Sequence, residues 1–491
     1  MELGGIRVKK ADTKTNRKKI MDSFKDKKFK YGGYATLLTA FVLAILVVIN
    51  LVVDQIPFRL DLTENRMFSL SDQTEKIVEN LDQEIRIIGL YQTGKENTMF
   101  DEILQRYRRI NKNISITYID PVKNPTFSSK YTKDGTSLRE GSYIVESDER
   151  FKIIDYYDLF NIRADQYGNT RAESLALEQR ITNAIQYVIA DKLPVIYTLE
   201  GHMEQALPYE LRQQLELENY EIKTLSLLTE ESVPSDATVL MVVAPQRDIT
   251  AEEEQKIREY LENQGRAIFL MEIVENEMPN FSSLLKSYGI ALNRALVIEG
   301  DRNNYFQNPA WIIPNMESHE IITPMRSNKM QVLAIGAQGI EILDEKKRSI
   351  EVSPLLVTSD NAWGRTDLSS TTVEKEEGDL DGPFNVAVAI ADKEWNDETS
   401  EYDETKLVVV GDVELLNPQF ASIGNSDFIL NSLNWLHDEQ ESISIRPKSL
   451  LSSYLRINAF QKLVIAGIVV ILIPLVILGA GLVMWLRRRH L

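Results

Sequence analysis

Two uncharged apolar runs constrain this chain more than any other feature. Residues 34–53 read "YATLLTAFVLAILVVINLVV", twenty positions without a charge, and residues 463–486 read "LVIAGIVVILIPLVILGAGLVMWL", twenty-four more. A helix rises ~1.5 Å per residue, so each run is long enough to cross a hydrocarbon core of ~30 Å. The first is not the pattern of a cleaved signal peptide, because its apolar part is too long and no small-x-small site follows it. The sequence therefore predicts two membrane spans. Charge sets their orientation: residues 1–33 carry eleven Lys/Arg against four acids, and Arg487-Arg488-Arg489 closes the second run. The positive-inside bias places both termini in the cytoplasm and leaves 54–462 outside.

The region between the spans is acidic. Residues 54–461 hold 40 basic and 69 acidic side chains, about −29 formally. Such a surface repels phosphate backbones, which excludes nucleic acid as a natural partner. The chain has no cysteine, which removes disulfides, thiol nucleophiles and thiolate metal sites together. The basic stretch 7–30 can be read as a topology signal or as added affinity for anionic lipid, at roughly 1 kcal/mol per well-placed basic residue.

Beyond the first run the chain does not continue as a loose linker. In "RLDLTENRMFSLSDQTEKIVENL" (59–81) Leu60 and Leu62 alternate with Asp61 and Thr63. A polar break follows, and then Ser71 stands ahead of an amphipathic helix bearing Ile77, Val78 and Leu81. The pattern reads strand, turn, capped helix. Next come a strand at 84–91, a helix at 98–110, a strand at 114–120 and a hairpin over 142–155, which together make a small α/β module. A helix over 173–191, with Leu175, Leu177, Ile181, Ile185, Val188 and Ile189 as its stripe, is expected to bridge to a second module. From 193 strands and helices alternate: "PVIYTL", "YELRQQLELENYE", "ATVLMVVAP", "TAEEEQKIREYLENQG", "RAIFLME". Near-continuous apolar strands separated by helices predict a parallel sheet covered on both faces. Segments 331–337, 385–390 and 406–412 are expected to extend that sheet, and 371–382 to form a solvated acidic loop.

The loudest local motif is "GLYQTGKE" (89–96), which fits G-x-x-x-x-G-K after a strand. Glu96 occupies the position where a magnesium-binding hydroxyl is required, so the stretch reads as an ordinary strand-to-loop connection. "LEGHMEQ" (199–205) lies beyond the carboxyl end of a parallel strand, where open α/β sheets place their sites. It makes Glu200, Gly201, His202 and Glu204 a candidate ligand or partner crevice. It does not make an active site, because zinc needs at least three protein ligands and a covalent mechanism needs a nucleophile. In "FILNSLNWLHDEQESISIRPK" (428–448) Trp435 is expected in the core, and the exit over 443–447 is extended.

Several segments in order, "DLTENRMFSLSDQT", "VIYTLEGHMEQ", "VVAPQRDITAEEEQKIREYLENQG", "LVVVGDVELLNPQF" and "NSDFILNSLNWLHDEQESISIRPK", resemble the GldG-like family of ABC-type transport auxiliary components. The resemblance implies a thioredoxin-like α/β domain and then a flavodoxin-like, glutamine-amidotransferase-like domain. No amidotransferase activity follows, since that chemistry uses a cysteine. The implied organisation is a cytoplasmic tail 1–33, span 34–53, α/β domain 54–172, bridging helix 173–192, second domain 193–448, juxtamembrane segment 449–462, span 463–486 and tail 487–491. The implied partners are an ABC permease and a separate ATPase, and no cofactor is expected. The expected role is a non-enzymatic accessory subunit of an exporter, docking on the permease and handling or gating cargo. Asp61, Leu62, Thr63, Phe68, Ser69, Leu70 and Ser71 are the candidate permease interface. An envelope enzyme using the His202/Glu204 crevice and a stand-alone surface receptor are the competing readings.

Overall fold

The computed structural model describes residues 27–55, 61, 63, 66–128, 130–132, 138–164, 170–327, 329–370, 372–397, 400–437, 445, 447–450 and 459–489. The chain forms two compact units, Met1–Met67 and Phe68–Leu491. In the first, helix α1 runs Lys27–Gln55. Its described apolar stretch, Thr36–Leu51, falls short of the length that crosses a bilayer alone. Asp61 and Thr63 form a turn instead of the expected strand. The Thr63 N–H donates to Asp61 Oδ1 at 3.0 Å, and Thr63 Oγ1 accepts from the Met67 N–H at 2.7 Å. Leu60 and Leu62 lie outside the described residues.

The second unit opens with α2 (Asp72–Glu79), whose first turn is closed by Ser71 accepting from the Thr74 N–H. Strand β1 (Ile85–Leu90), helix α3 (Thr98–Ile110) and β2 (Ile114–Ile119) follow, then the hairpin β3 (Tyr143–Glu146) and β4 (Phe151–Ile154). The sheet order is β2-β1-β3-β4, with β1 parallel to β2 and the other pairings antiparallel. Strands β5 (Phe160–Ala164) and β6 (Thr170–Leu175) make a separate pair. The helix expected over 173–191 runs Leu177–Ile189 and is α4, because 170–175 is strand. Its apolar stripe, Leu177, Ile181, Ala184, Ile185 and Val188, is packed into the core of this first module with Phe100, Ile103, Leu104 and Tyr107 of α3. Its polar side reaches the second module, where Gln179 and Asn183 donate to Glu218 at 2.7 Å each. Facing two modules at once, α4 is buried nearly all round.

The second module begins β7 (Val195–Leu199), α5 (Tyr209–Leu217), β8 (Glu221–Leu225), β9 (Ala237–Val243), α6 (Ala251–Glu262), β10 (Arg266–Leu270), α7 (Pro279–Ser287) and β11 (Ile290–Ile298). It continues through β12 (Trp311–Ile312), β13 (Asn315–Met316), β14 (Ala334–Ile335), β15 (Gln338–Ile342), β16 (Ile350–Val357), β17 (Trp363–Arg365) and β18 (Leu380–Asp381). Strands β19 (Asn385–Asn396) and β20 (Glu401–Val410) and helix α8 (Asn425–Leu436) complete it. Strands β8-β7-β9-β10-β20 are parallel. Alternate residues along β9 feed opposite cores: Val239 and Met241 pack with α5 and α8, and Leu240 and Val242 with α6 and α7. That double burial is why these strands read as continuous apolar runs.

The rest of the sheet departs from expectation. Strands β19, β16, β15, β11, β17 and β18 are joined antiparallel, so the sheet is mixed rather than parallel. The connections decide this, because a parallel pairing needs a crossover of a dozen or more residues, and only residues 397–400 separate β19 from β20. The segment 331–337 contributes only β14, which pairs with β12 in a two-stranded sheet of its own. Its Val332, Leu333 and Ala334 are buried as core filling. The acidic loop is also more than solvated surface. It closes around the buried Arg365, whose guanidinium meets Asp379 at 3.1 Å and the Thr372 carbonyl at 2.7 Å.

After α8 the chain returns to the first module. Strand β21 (Lys448–Ser449) pairs with β6, and the Leu450 N–H donates to the Glu173 carbonyl. The final helical stretch, Ala459–Ala466 and Ile473–Arg489, is interrupted by a π-helical segment, Gly467–Leu472. Pro474 explains it, since a proline ring collides with the carbonyl four residues earlier and a widened turn relieves the clash. Within this stretch Phe460–Arg487 is long and apolar enough to cross a membrane.

Candidate functional site

The strand order β8-β7-β9-β10-β20 reverses direction between β7 and β9, and the loops at their carboxyl ends meet there. The loop after β7 carries Glu200, Gly201, His202 and Glu204. Gly201 sits at φ +125°, in backbone space that favours glycine. Glu200 is exposed, whereas His202 is buried. The loop is knitted to the one after β9, because the His202 carbonyl accepts from the Gln246 and Arg247 N–H groups at 2.9 and 3.1 Å, and Gln205 N–H donates to Val243.

The ring of His202 is fully engaged. Nδ1 lies 3.0 Å from Glu204 Oε1 and Nε2 3.2 Å from Glu253 Oε2. Glu204 also accepts from the His202 N–H at 2.7 Å. Glu253 is the third residue of a capping box on α6 and accepts from the N–H and hydroxyl of Thr250 at 2.9 Å each. Burial opposes the charge of Glu253, but the Thr250 donors and the His202 ring outweigh it and hold the carboxyl below its ordinary range. A ring with both nitrogens committed to carboxylates offers no free base and no open lone pair to a ligand. Among the described residues no group of three or more His, Asp or Glu is placed to hold a metal ion.

The phosphate-loop-like stretch is likewise filled by its own side chains. The Thr93 N–H donates to Asp120 at 3.1 Å, the Gly94 N–H to Glu96 at 3.0 Å, and Lys95 Nζ to Gln92 at 2.7 Å. The Thr93, Lys123 and Val122 N–H groups hold the Asp120 carboxyl down at about 2. The backbone donors that would cradle a phosphate are already occupied by carboxylates.

Sequence reasoning missed a buried polar cluster at the carboxyl ends of β9, β10 and β20. Asp412 is buried and accepts from the Ile335 and Glu414 N–H groups at 2.7 Å each. Burial, aided by Glu414 and Glu272, pushes its carboxyl up to about 8. Gln246 donates to Glu272 alongside. The one available signal was an acid placed straight after "LVVVG".

The residues around 61–71 divide. In the first unit Asp61 and Thr63 bond to each other, and Leu62 is outside the described residues. In the second unit Leu70 is in the first module's core and Phe68 packs against it. Ser71 and Thr74 both donate to Glu178 of α4, at 2.6 and 2.9 Å. From the far end of the chain, Lys448 Nζ reaches the same carboxylate at 2.6 Å and also donates to the Ser69 carbonyl. Tyr107 and Thr182 complete the cluster, 2.8 Å apart. One buried carboxylate therefore joins the segment that follows the first apolar run to the segment that precedes the second.

Residues 193–432, the whole mixed-sheet module through most of α8, match the family described as an ABC-type uncharacterized transport system. The match covers just under half of the chain. The match agrees with the GldG-like resemblance. Residues 64–157 match a domain of unknown function, and no curated protein matches the chain. The solved structures that resemble it distantly include three of differing kinds. The mmIFT52 N-terminal domain is 17% identical, covers 49% of this chain and 97% of its own, and has a TM-score of 0.37. A putative ThuA-like protein from Bacteroides uniformis is 12% identical over 50% and 93%, TM-score 0.28. A glutamine amidotransferase from Thermotoga maritima is 10% identical over 50% and 99%, TM-score 0.29. Likenesses this weak carry no argument about function. The match to a transport-system family supports an accessory role within an ABC transport system.

Proposed function

We propose that the protein is a non-enzymatic, membrane-anchored accessory subunit of a bacterial ABC exporter, held by two spans with residues 54–462 outside the cell and working with a separate permease and ATPase. The observation that carries the reading is the family match of 193–432. The satisfied ring of His202 supports a role without catalysis. The β2-β1-β3-β4 order, with β1 parallel to β2 ahead of an antiparallel hairpin, supports a thioredoxin-like first domain. In this reading Phe68, Ser69, Leu70 and Ser71 fix the region's attachment to the membrane, since their groups are engaged inside the fold.

Affinity purification of the full-length protein from native membranes tests the assignment, and a permease and an ATPase should co-purify in fixed proportion. Because the chain has no cysteine, a single Glu377→Cys substitution tests the topology. A membrane-impermeant maleimide should label it on intact cells. Purification without transporter subunits, or a thiol reached only after lysis, would overturn the reading.

A further inference from the structure

One face of the β19–β20 hairpin is not accounted for by the fold. Strand β16 begins at Ile350, opposite Asp392; beyond it the Lys393 N–H still donates to the Ser349 carbonyl and Lys347 reaches Glu394 at 3.5 Å, but among the described residues no strand pairs with β19 on that side from Glu394 onward. Strand β10 begins at Arg266, opposite Lys406, which leaves Glu401–Thr405 of β20 without one as well. The hairpin projects from the sheet as a two-stranded arm. Its register runs unbroken from Ala387–Val410 to Asn396–Glu401. Side chains alternate along a strand, so Ala389, Ala391, Lys393 and Trp395 share one face with Lys406, Glu404 and Tyr402.

Each end of this face is aromatic. At the tip Trp395 and Tyr402 stand directly opposite, ring centroids 5.0 Å apart at 72°, and remain 53% and 65% exposed. At the base the face enters a cavity of about 370 Å³, floored by Ala389 and Ala391 and walled by Trp435, His319, Glu320 and Glu351. Trp435, expected in the core, is only partly buried, and its ring packs edge-on against His319 at 5.2 Å. Burial lowers the His319 pKa, so the ring is uncharged at neutral pH.

Charge selects the occupant. Lys406 is buried 4.9 Å from the Trp435 ring and shares Glu404 with Lys393, at 3.4 and 3.2 Å. Both ammonium groups of the wall are thereby countered. Glu320 and Glu351 have no ammonium or guanidinium within 4 Å among the described residues. The Trp435 ring is already faced by Lys406 and His319, so what the cavity leaves for a partner is the pair of exposed carboxylates at its mouth, Glu320 and Glu351, which a cationic side chain would counter. Ala391 and Trp395 are four positions apart, about 13 Å along a strand, and a partner in extended conformation presents its residues i and i+4 on one side with the same spacing. We propose that this face binds an extended segment of a partner protein, with a Lys or Arg in the cavity lined by Glu320 and Glu351 and an apolar side chain, four residues away, on Trp395 and Tyr402. The proposal needs only this surface and holds whether or not the protein serves a transporter.

The test uses the full-length protein in detergent and a fluorescein-labelled peptide, Ser-Thr-Lys-Ser-Thr-Ser-Phe-Thr-Ser, followed by anisotropy. Binding should weaken at least about 5-fold in Trp395→Ala, in Tyr402→Ala and in the double variant Glu320→Gln/Glu351→Gln, as expected for central anchors. It should be unchanged in Glu231→Gln/Glu377→Gln, which removes the same charge from exposed sites elsewhere. Bound peptide should slow amide exchange over 387–396 and 401–406. Trp395 and Tyr402 are exposed, so their variants keep the fold, which circular dichroism checks. Three results would each overturn the proposal: no binding, equal binding of the peptide with Glu in place of Lys, or equal weakening by the Glu231/Glu377 pair.

Discussion

A histidine held between two carboxylates contributes through what its removal strands. His202→Ala leaves Glu204 and Glu253 facing the space of the lost ring, each with part of its bonding intact. Leaving buried carboxylates short of a hydrogen-bond donor costs about 1–3 kcal/mol, and the retained Thr250 and backbone donors put the loss at about 2 kcal/mol. The purified variant should melt several degrees lower, and any transport defect should track the folded fraction. A null transport phenotype at undiminished stability would restore a chemical role to the ring. Asp412 makes the opposite kind of contribution. Its carboxyl is held up to about 8 in the fold and titrates near 3.9 when unfolded. Between those values the unfolded chain has lost the proton and the native one has kept it, so stability falls as pH rises through the window. Asp412→Asn removes that slope. Urea midpoints of variant and wild type should diverge in the variant's favour from pH 5 to pH 8, and a pH-independent difference would mean that Asp412 is ionised in the native protein.

At the scale of elements, local chemistry was legible and distant pairing was not. Ser71 announces its helix because a cap needs only neighbours in sequence, and it does accept from the Thr74 N–H. Four of the five parallel strands, β7, β9, β10 and β20, were readable from doubly buried apolar runs, whereas β8 (EIKTL), an edge strand with a single buried residue, was not. The antiparallel half was not, because Val, Ile and Ala pack equally well in either direction and the deciding feature is the short turn after β19. His202 and Glu204 were visible as a pair, but Glu253, which fills the ring's other nitrogen, lies a helix away. Glu178 gave no signal at all. Its partners Ser71, Thr74 and Lys448 come from opposite ends of the chain, and on a periodic plot it is one more acid on a helix. Its role leads to a prediction about β21, a two-residue strand that pairing alone would hold weakly. Lys448→Met keeps the stem of the side chain and deletes the ammonium that reaches Glu178 and Ser69. Amide exchange should speed up at 448–450 and around Ser71, while β7 to β10 stay protected. Unchanged exchange at both places would mean that β21 is held by its pairing with β6 alone.

For the whole molecule, the junction at Glu178 matters because it lies inside one compact unit, Phe68–Leu491. A domain on one flexible linker explores a volume set by the linker's length, whereas one held at two nearby points keeps mainly a hinge motion about the line joining them. In the proposed arrangement both attachments leave from the same buried carboxylate, and lengthening one of them tests whether this controls how the region is presented to a permease. Inserting twenty Gly/Ser residues between 54 and 60 adds a flexible chain with a root-mean-square span of about 25 Å to one attachment only. It leaves the junction and both cores intact, so folding and membrane insertion should be unchanged. Transport supported by the variant should drop sharply, because the productive orientation becomes one of many and its effective concentration at the permease falls. The same insert within 371–382, away from the attachments, is the control and should cost less. Transport at the wild-type level with the 54–60 insert would mean that position relative to the membrane is not what this protein provides.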